Sequence, residues 1–169
     1  GEFTALTAAG SLSFEDGLRV VRQRGRFMQE ACDVTQGGMA AVIGLDESLT
    51  REVCAAAGVA LANLNCPGQL VISGETERIL TAVELAKAKG AKRAIMLPMS
   101  VPSHCRLLKD AAEQLREYLG NVAVQAPAIP VLHNADVKSY LEGAAIKDAL
   151  VRQLYSPVRW VETVLELGK

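Results

Sequence analysis

His104 lies in the run Ser100-Val-Pro-Ser-His-Cys105 and is one of only two histidines among 169 residues. Imidazole takes up and returns protons near neutral pH, so the chemistry this position offers is general acid–base work. The other histidine, His133, stands before a turn residue, Asn134, where a structural role fits better. Arg24 is the second candidate. Helical spacing puts Arg22 and Arg26 together on one side and turns Arg24 towards the apolar stripe, where a guanidinium needs a partner. Cys32, Cys54, Cys66 and Cys105 are widely spaced, with no C-x-x-C pair and no His partner at metal-ligand spacing. They read as unpaired, reduced thiols, so neither a metal site nor a redox dithiol is expected.

Those side chains must be positioned by regular elements. Ser13-Phe-Glu-Asp16 has capping-box spacing and opens a helix over 14–31, with Leu18, Val21, Gly25 and Met28 on its buried face. From Met39 the pattern changes. Strands are expected at 39–45, 59–63, 70–73 and 93–97, with one helix from Asp46/Ser48 to Ala57 and another burying Ile79, Leu80, Val83 and Ala86. That order, β-α-β-β-α-β, is the signature of a ferredoxin-like subdomain over 39–97. The flanks, 1–38 and 98–169, read as α/β. A helix over 106–119 turns Leu107, Leu108, Ala111, Leu115 and Tyr118 inward, Pro-punctuated 126–134 reads as a strand and loop, and helices at 143–154 and 157–167 follow.

Composition excludes several classes of function. The formal net charge is −1 with both signs interspersed, and aromatics make up 4% of the chain, which argues against a nucleic-acid partner. No apolar run is long enough for a membrane span and nothing resembles a signal peptide, so no membrane is expected as a partner and a cytoplasmic location is. Gly1-Glu-Phe-Thr-Ala-Leu6 enters a helical pattern with neither Met nor cap, and the helix before Gly168 is one after which an α/β protein ordinarily continues. Both ends suggest a piece of a longer protein.

Five stretches carry a resemblance: Gly1 to Leu6; Val21-Arg-Gln-Arg-Gly-Arg-Phe-Met-Gln29; Asn63-Leu-Asn-Cys-Pro-Gly-Gln69 with Val71-Ile-Ser-Gly74; Ser100 to His104; and Leu150-Val-Arg-Gln-Leu-Tyr-Ser-Pro-Val-Arg-Trp160. In order and over nearly the whole chain, they resemble the acyltransferases of fatty-acid and polyketide synthesis, the malonyl-CoA:acyl carrier protein transacylases above all. The resemblance implies an α/β-hydrolase-like acyltransferase subdomain, interrupted by the ferredoxin-like insert. It also implies a serine on a sharp strand-to-helix turn, Gly-His-Ser-Leu-Gly-Glu, of which Gly1-Glu2 match the last two residues. The nucleophile would then precede Gly1, and this chain alone would be inactive.

The implied reaction is ping-pong. The serine takes a malonyl group from malonyl-CoA and passes it to the phosphopantetheine thiol of acyl carrier protein, with no cofactor. His104 matches the base, and the acceptor that orients it is expected from a carboxy-terminal part outside this chain. Arg24 matches the residue that clamps the malonyl carboxylate, a task suited to a planar guanidinium. Met28, one turn beyond Arg24, lines the acyl pocket or is plain core. Asn63 and Asn65 are expected on one strand face; Asn63 reads as a turn cap, and Asn65 as a contact to the pantetheine arm or pocket rim. Ser103 is a pocket wall by the same resemblance.

Arg24 and His104 should converge on a cleft between 39–97 and the flanks, its open side facing the first turn at Gly1. Arg22, Arg26, Lys87, Lys89, Lys92 and Arg93 are candidates to meet an acidic helix of the carrier protein. The complete protein is expected to be a monomer. Two other readings stay open: a non-catalytic module for ligand sensing or dimerisation, and a piece that works only with a fragment carrying the serine.

Overall fold

The apolar side chains gather into two main cores, and each element is explained by the core it covers. The structure is a computed structural model that describes all 169 residues. The first core unites Phe3, Leu6, Val20, Met28, Leu108, Leu115, Leu119, Ile146 and Leu150. It is built by helices α1 (Glu2–Ala8), α2 (Phe14–Val34), α5 (Lys109–Gly120) and α6 (Gly143–Arg152). The second lies on one face of a four-stranded sheet, where Ala40, Val42, Leu61, Leu64, Leu70 and Ile72 meet Val53, Ile79, Ala82 and Ala86.

The sheet consists of β1 (Gly37–Ile43), β2 (Ala60–Cys66), β3 (Gln69–Glu75) and β4 (Arg93–Met96) in the order β2-β3-β1-β4, all neighbours antiparallel. Helices α3 (Glu47–Ala57) and α4 (Thr76–Ala88) cover the apolar face. Met39, Ala62 and Val71 form a small cluster on the other face with Leu97, turned towards the flanks. The alternation of residues 40/42 and 70/72 inward is the period-two pattern that the sequence carries. In β2 it breaks, because register shifts occur between Leu61 and Asn63 and between Leu64 and Cys66.

Helix α2 starts at Ser13, whose hydroxyl accepts the Asp16 N–H, and runs three residues beyond the expected end. Its buried face is not the expected one. α1 crosses α2 at Gly17, where a Cβ would stand 2.8 Å from Thr7 Oγ1. That contact fixes the inward line as Gly17, Val20, Arg24, Phe27 and Met28, so Leu18, Val21 and Gly25 fall outside it and are exposed. Leu80 on α4 is likewise exposed, while Ala82 takes the inward place.

Residues 126–134 form no extended strand. Pro127 and Pro130 cannot donate to a ladder, and the segment is tied instead through Gln125 N–H to Ser11 O and Ala128 N–H to Ala9 O, with one isolated bridge from His133 to Lys138. The last helix, α7 (Trp160–Leu167), begins later than expected because Pro157 and Val158 stay extended. Val158 pairs in parallel with Asn63: it donates to Ala62 O (2.8 Å) and accepts from Leu64 N–H (2.9 Å).

Gly37 joins β1 to the loop leading to His104. A Cβ there would lie 2.4 Å from Cγ of Pro102, a buried ring that cannot swing away. Gly37→Ala is expected to destabilise the fold by about 1–3 kcal/mol, the usual cost of overpacking, read as a lower urea midpoint at unchanged m-value.

Candidate functional site

The site forms where the chain leaves the sheet and meets the end of α6. Past β4, residues 98–105 cross back to the first core; the Ser103 N–H donates to Val101 O (2.9 Å), and His104 follows with φ of 61°. A non-glycine residue in this left-handed region is held there by its surroundings. The holders are two successive carbonyls just past α6. Leu154 O accepts the His104 backbone N–H (3.0 Å), and Gln153 O lies 2.8 Å from His104 Nδ1.

A carbonyl only accepts, so Nδ1 must carry the proton, and Nε2 is the unprotonated nitrogen. Gln153 is the residue whose carbonyl reaches the ring at hydrogen-bonding distance. The carbonyls of Gln153 and Leu154 are among those an α-helix end leaves unpaired, and the negative end of the helix dipole favours an imidazolium beside it. Burial pushes the His104 ring below its ordinary value; the Gln153 carbonyl, the Ser156 carbonyl and Glu2 oppose this, while Arg24 adds to it. The ring is therefore neutral at neutral pH and ready to accept a proton. Its orienting acceptor, expected outside the chain, is Gln153.

Gln153 also binds Arg24. Its side chain is buried; Oε1 accepts from Arg24 Nη2 (2.8 Å), and Nε2 donates to Glu2 Oε2 (3.1 Å). Arg24 and His104 thus attach to opposite ends of one residue. Arg24 Nε is buried and unpartnered. Burial pulls the guanidinium below its ordinary value and the charge of Glu2 counters it, leaving a cation. Glu2 is itself buried. Burial alone would raise its carboxyl, but the His133 ring, the Asn134 N–H and the Gln153 amide together bring it below the usual range. His133 Nδ1 stands 3.6 Å from Glu2 Oε2, an electrostatic contact too long for a good hydrogen bond, and the ring packs on Tyr140 with centroids 5.6 Å apart.

His104 opens onto a cleft of about 480 Å³ between the sheet and the return segment, lined also by Leu61, Ser73, Arg78, Cys105 and Tyr155. Arg24 does not line it. The first turn of α1 meets the network on the Arg24 side through Glu2 rather than across this cleft. Met28 packs in the first core, Ser103 is half-buried beside His104, and Asn65 is half-buried on β2 away from the cleft. No three His, Cys, Asp or Glu side chains come together as a metal site, and all four cysteines are free.

Gln153 and Glu2 are the residues sequence reasoning missed. The signal for Gln153 was present: extending the buried line Ile146, Ala149, Leu150 by one turn places Gln153 inward, and a buried amide must find partners. Glu2 carried no comparable cue, since its partners lie more than 130 residues away.

The acyl transferase domain family matches the chain over residues 1–169. A curated relative, the malonyl CoA-acyl carrier protein transacylase of Escherichia coli K12, is 50% identical over 168 residues, covering 97% of this chain and 54% of that protein. Among solved structures, the acyl-carrier-protein S-malonyltransferase of Burkholderia pseudomallei matches with a TM-score of 0.97 and 52% identity, over 99% of this chain and 56% of that one. A chain from the solved complex of a type II polyketide acyl carrier protein with its malonyl-transacylase matches with a TM-score of 0.97 at 45% identity, again over 99% and 56%. The chain spans about half the length of the curated relatives it matches. No helix is long and apolar enough to cross a membrane.

NMR of the imidazole nitrogens is expected to find the Nδ1–H tautomer of His104 at neutral pH and a titration midpoint below that of free histidine. Because the unfolded chain then protonates first, this group costs stability as pH falls below about 6.5, and its cost levels off below the folded-state midpoint. A midpoint above that of free histidine would contradict the burial argument.

Proposed function

The chain belongs to the acyl transferase domain family, and from that premise we propose that it forms part of a malonyl-CoA:acyl carrier protein S-malonyltransferase of fatty-acid biosynthesis. The observation that carries the reading is Arg24 and His104 held by one residue, Gln153, in a chain half identical to such transacylases. A serine outside this chain attacks the thioester carbonyl of malonyl-CoA while His104 Nε2 takes its proton. The carbon–sulfur bond breaks, the CoA sulfur leaves with that proton, and a malonyl ester remains on the serine. In the second half His104 deprotonates the phosphopantetheine thiol of acyl carrier protein, the sulfur attacks the ester, the carbon–oxygen bond breaks, and the serine oxygen leaves with the proton that His104 returns. No cofactor enters either half. Gln153 O keeps the base in the right tautomer and stabilises the imidazolium between the two transfers.

Arg24 clamps the free carboxylate of the malonyl group, its unpartnered Nε being available for one of two parallel bonds. Ser103 walls the acyl pocket beside the base. Met28 supports Arg24 from the core one turn away. The strand order of residues 39–97 supports a ferredoxin-like subdomain, with 1–38 and 98–169 as parts of an α/β-hydrolase-like acyltransferase subdomain. We place the complete enzyme in the cytoplasm as a monomer. For acyl carrier protein, Arg22, Arg26, Lys92 and Arg93 are the better anchors, being exposed and without ion pairs, whereas Lys87 and Lys89 pair with Glu84 and Glu52.

Two substitutions in the full-length protein test the reading. His104→Ala is expected to lower kcat for malonyl transfer by about 10²–10⁴-fold. Arg24→Ala is expected to reduce the preference for malonyl-CoA over acetyl-CoA by about a hundredfold, on the order of 3 kcal/mol, the cost of losing a buried charged partner. Rates unchanged in both variants would sink the transferase assignment.

A further inference from the structure

Arg24 differs from the other arginines that contact acids. Arg19, Arg51, Arg78, Arg116, Arg152 and Arg159 each pair directly with a carboxylate. Arg24 has a buried carboxylate within reach of its field, Glu2, yet a neutral amide stands between them. We propose that the Gln153 side chain is a positioning residue for substrate choice: by spanning Arg24 and Glu2 it keeps the guanidinium anchored but unpaired, and so sets the preference for an acyl group that carries its own carboxylate. The inference rests on the reading of Arg24 as the carboxylate clamp.

The orientation of the amide follows from chemistry alone. Arginine only donates and an ionised carboxylate only accepts, so Oε1 must face Arg24 and Nε2 must face Glu2. A flipped amide would meet a donor with a donor and an acceptor with an acceptor. Glu2 is in turn fixed by the Asn134 N–H and faced by His133, so the chain of contacts ends on backbone rather than on a mobile side chain. One donor of Arg24 is thereby used and its direction set, while Nε stays open and desolvated. Were Arg24 to bond Glu2 directly, the ion pair would occupy the face needed for substrate and cancel the charge that attracts it. An incoming carboxylate completes the set; an uncharged acyl group leaves a buried donor without a partner.

The test is the ratio of kcat/KM for malonyl-CoA to that for acetyl-CoA in the full-length protein, for Gln153→Glu and Gln153→Met. Both substrates use the same His104 and the same backbone carbonyl, so general damage to the base cancels in the ratio. Gln153→Glu puts a carboxylate on Arg24 and is expected to lower the ratio at least tenfold, chiefly through malonyl KM. Gln153→Met releases Arg24 towards Glu2 and is expected to act in the same direction. A ratio within twofold of the parent in either folded variant overturns the proposal. Arg24→Ala run alongside separates the two claims: if it too leaves the ratio unchanged, the clamp itself is wrong; if it collapses the ratio and the Gln153 variants do not, only the role of Gln153 falls. A crystal structure of the parent protein with malonyl-CoA bound serves if both variants fail to fold. The Arg24 Nη2 to Gln153 Oε1 bond should persist with the malonyl carboxylate on Nε, and its loss overturns the proposal.

Discussion

Everything at the site hangs on one buried amide residue at the end of a helix. Gln153 terminates α6, and such an end leaves carbonyls without intrahelical partners. Its main-chain carbonyl goes to His104 and its side chain to Arg24 and Glu2. The division is physically useful because the two bonds answer to different constraints. The carbonyl is fixed by the helix and survives any side-chain change, whereas the amide is fixed by the charges on either side of it. A base and a cation that must act on one small substrate are thus placed by one residue, with few degrees of freedom between them.

The first core makes that placement rigid. Ile146, Ala149 and Leu150 bury α6 against α5, and Leu6 and Val20 bring α1 and α2 to the same interior. Each fully buried leucine or isoleucine contributes roughly 1.5–3 kcal/mol, enough that α6 cannot shift without exposing several of them. Arg24 rides on the inward line of α2 because α1 presses on Gly17. Glu2 reaches Gln153 from the first position of α1, just after the N-cap Gly1.

Local chemistry was legible in the sequence; crossings were not. The Ser13 cap, the strands of the small sheet and the inward face of α5 follow from patterns confined to a dozen residues. The inward line of α2 does not, because Leu18 and Val21 look as buried as Val20 until the crossing at Gly17 chooses among them. His104 and Arg24 stood out by residue type and context. Their common partner did not, since a glutamine gains meaning only from what surrounds it, and the bulges of β2 and the proline-tied path of 126–134 likewise depend on neighbours far away in the chain.

The parallel pairing of Val158 with Asn63 engages the outer edge of β2 at its middle, through the Ala62 carbonyl and the Leu64 N–H, and so interrupts the row of free groups there. It also makes a spine. The sheet and the return segment are bound along that line by main-chain bonds, and the cleft beside His104 lies next to it, with Leu61 and Pro157 among its walls. Leu61 and Pro157 flank that pairing and both wall the cleft, so the side of the cleft next to His104 is held by main-chain bonds and not by side-chain packing alone.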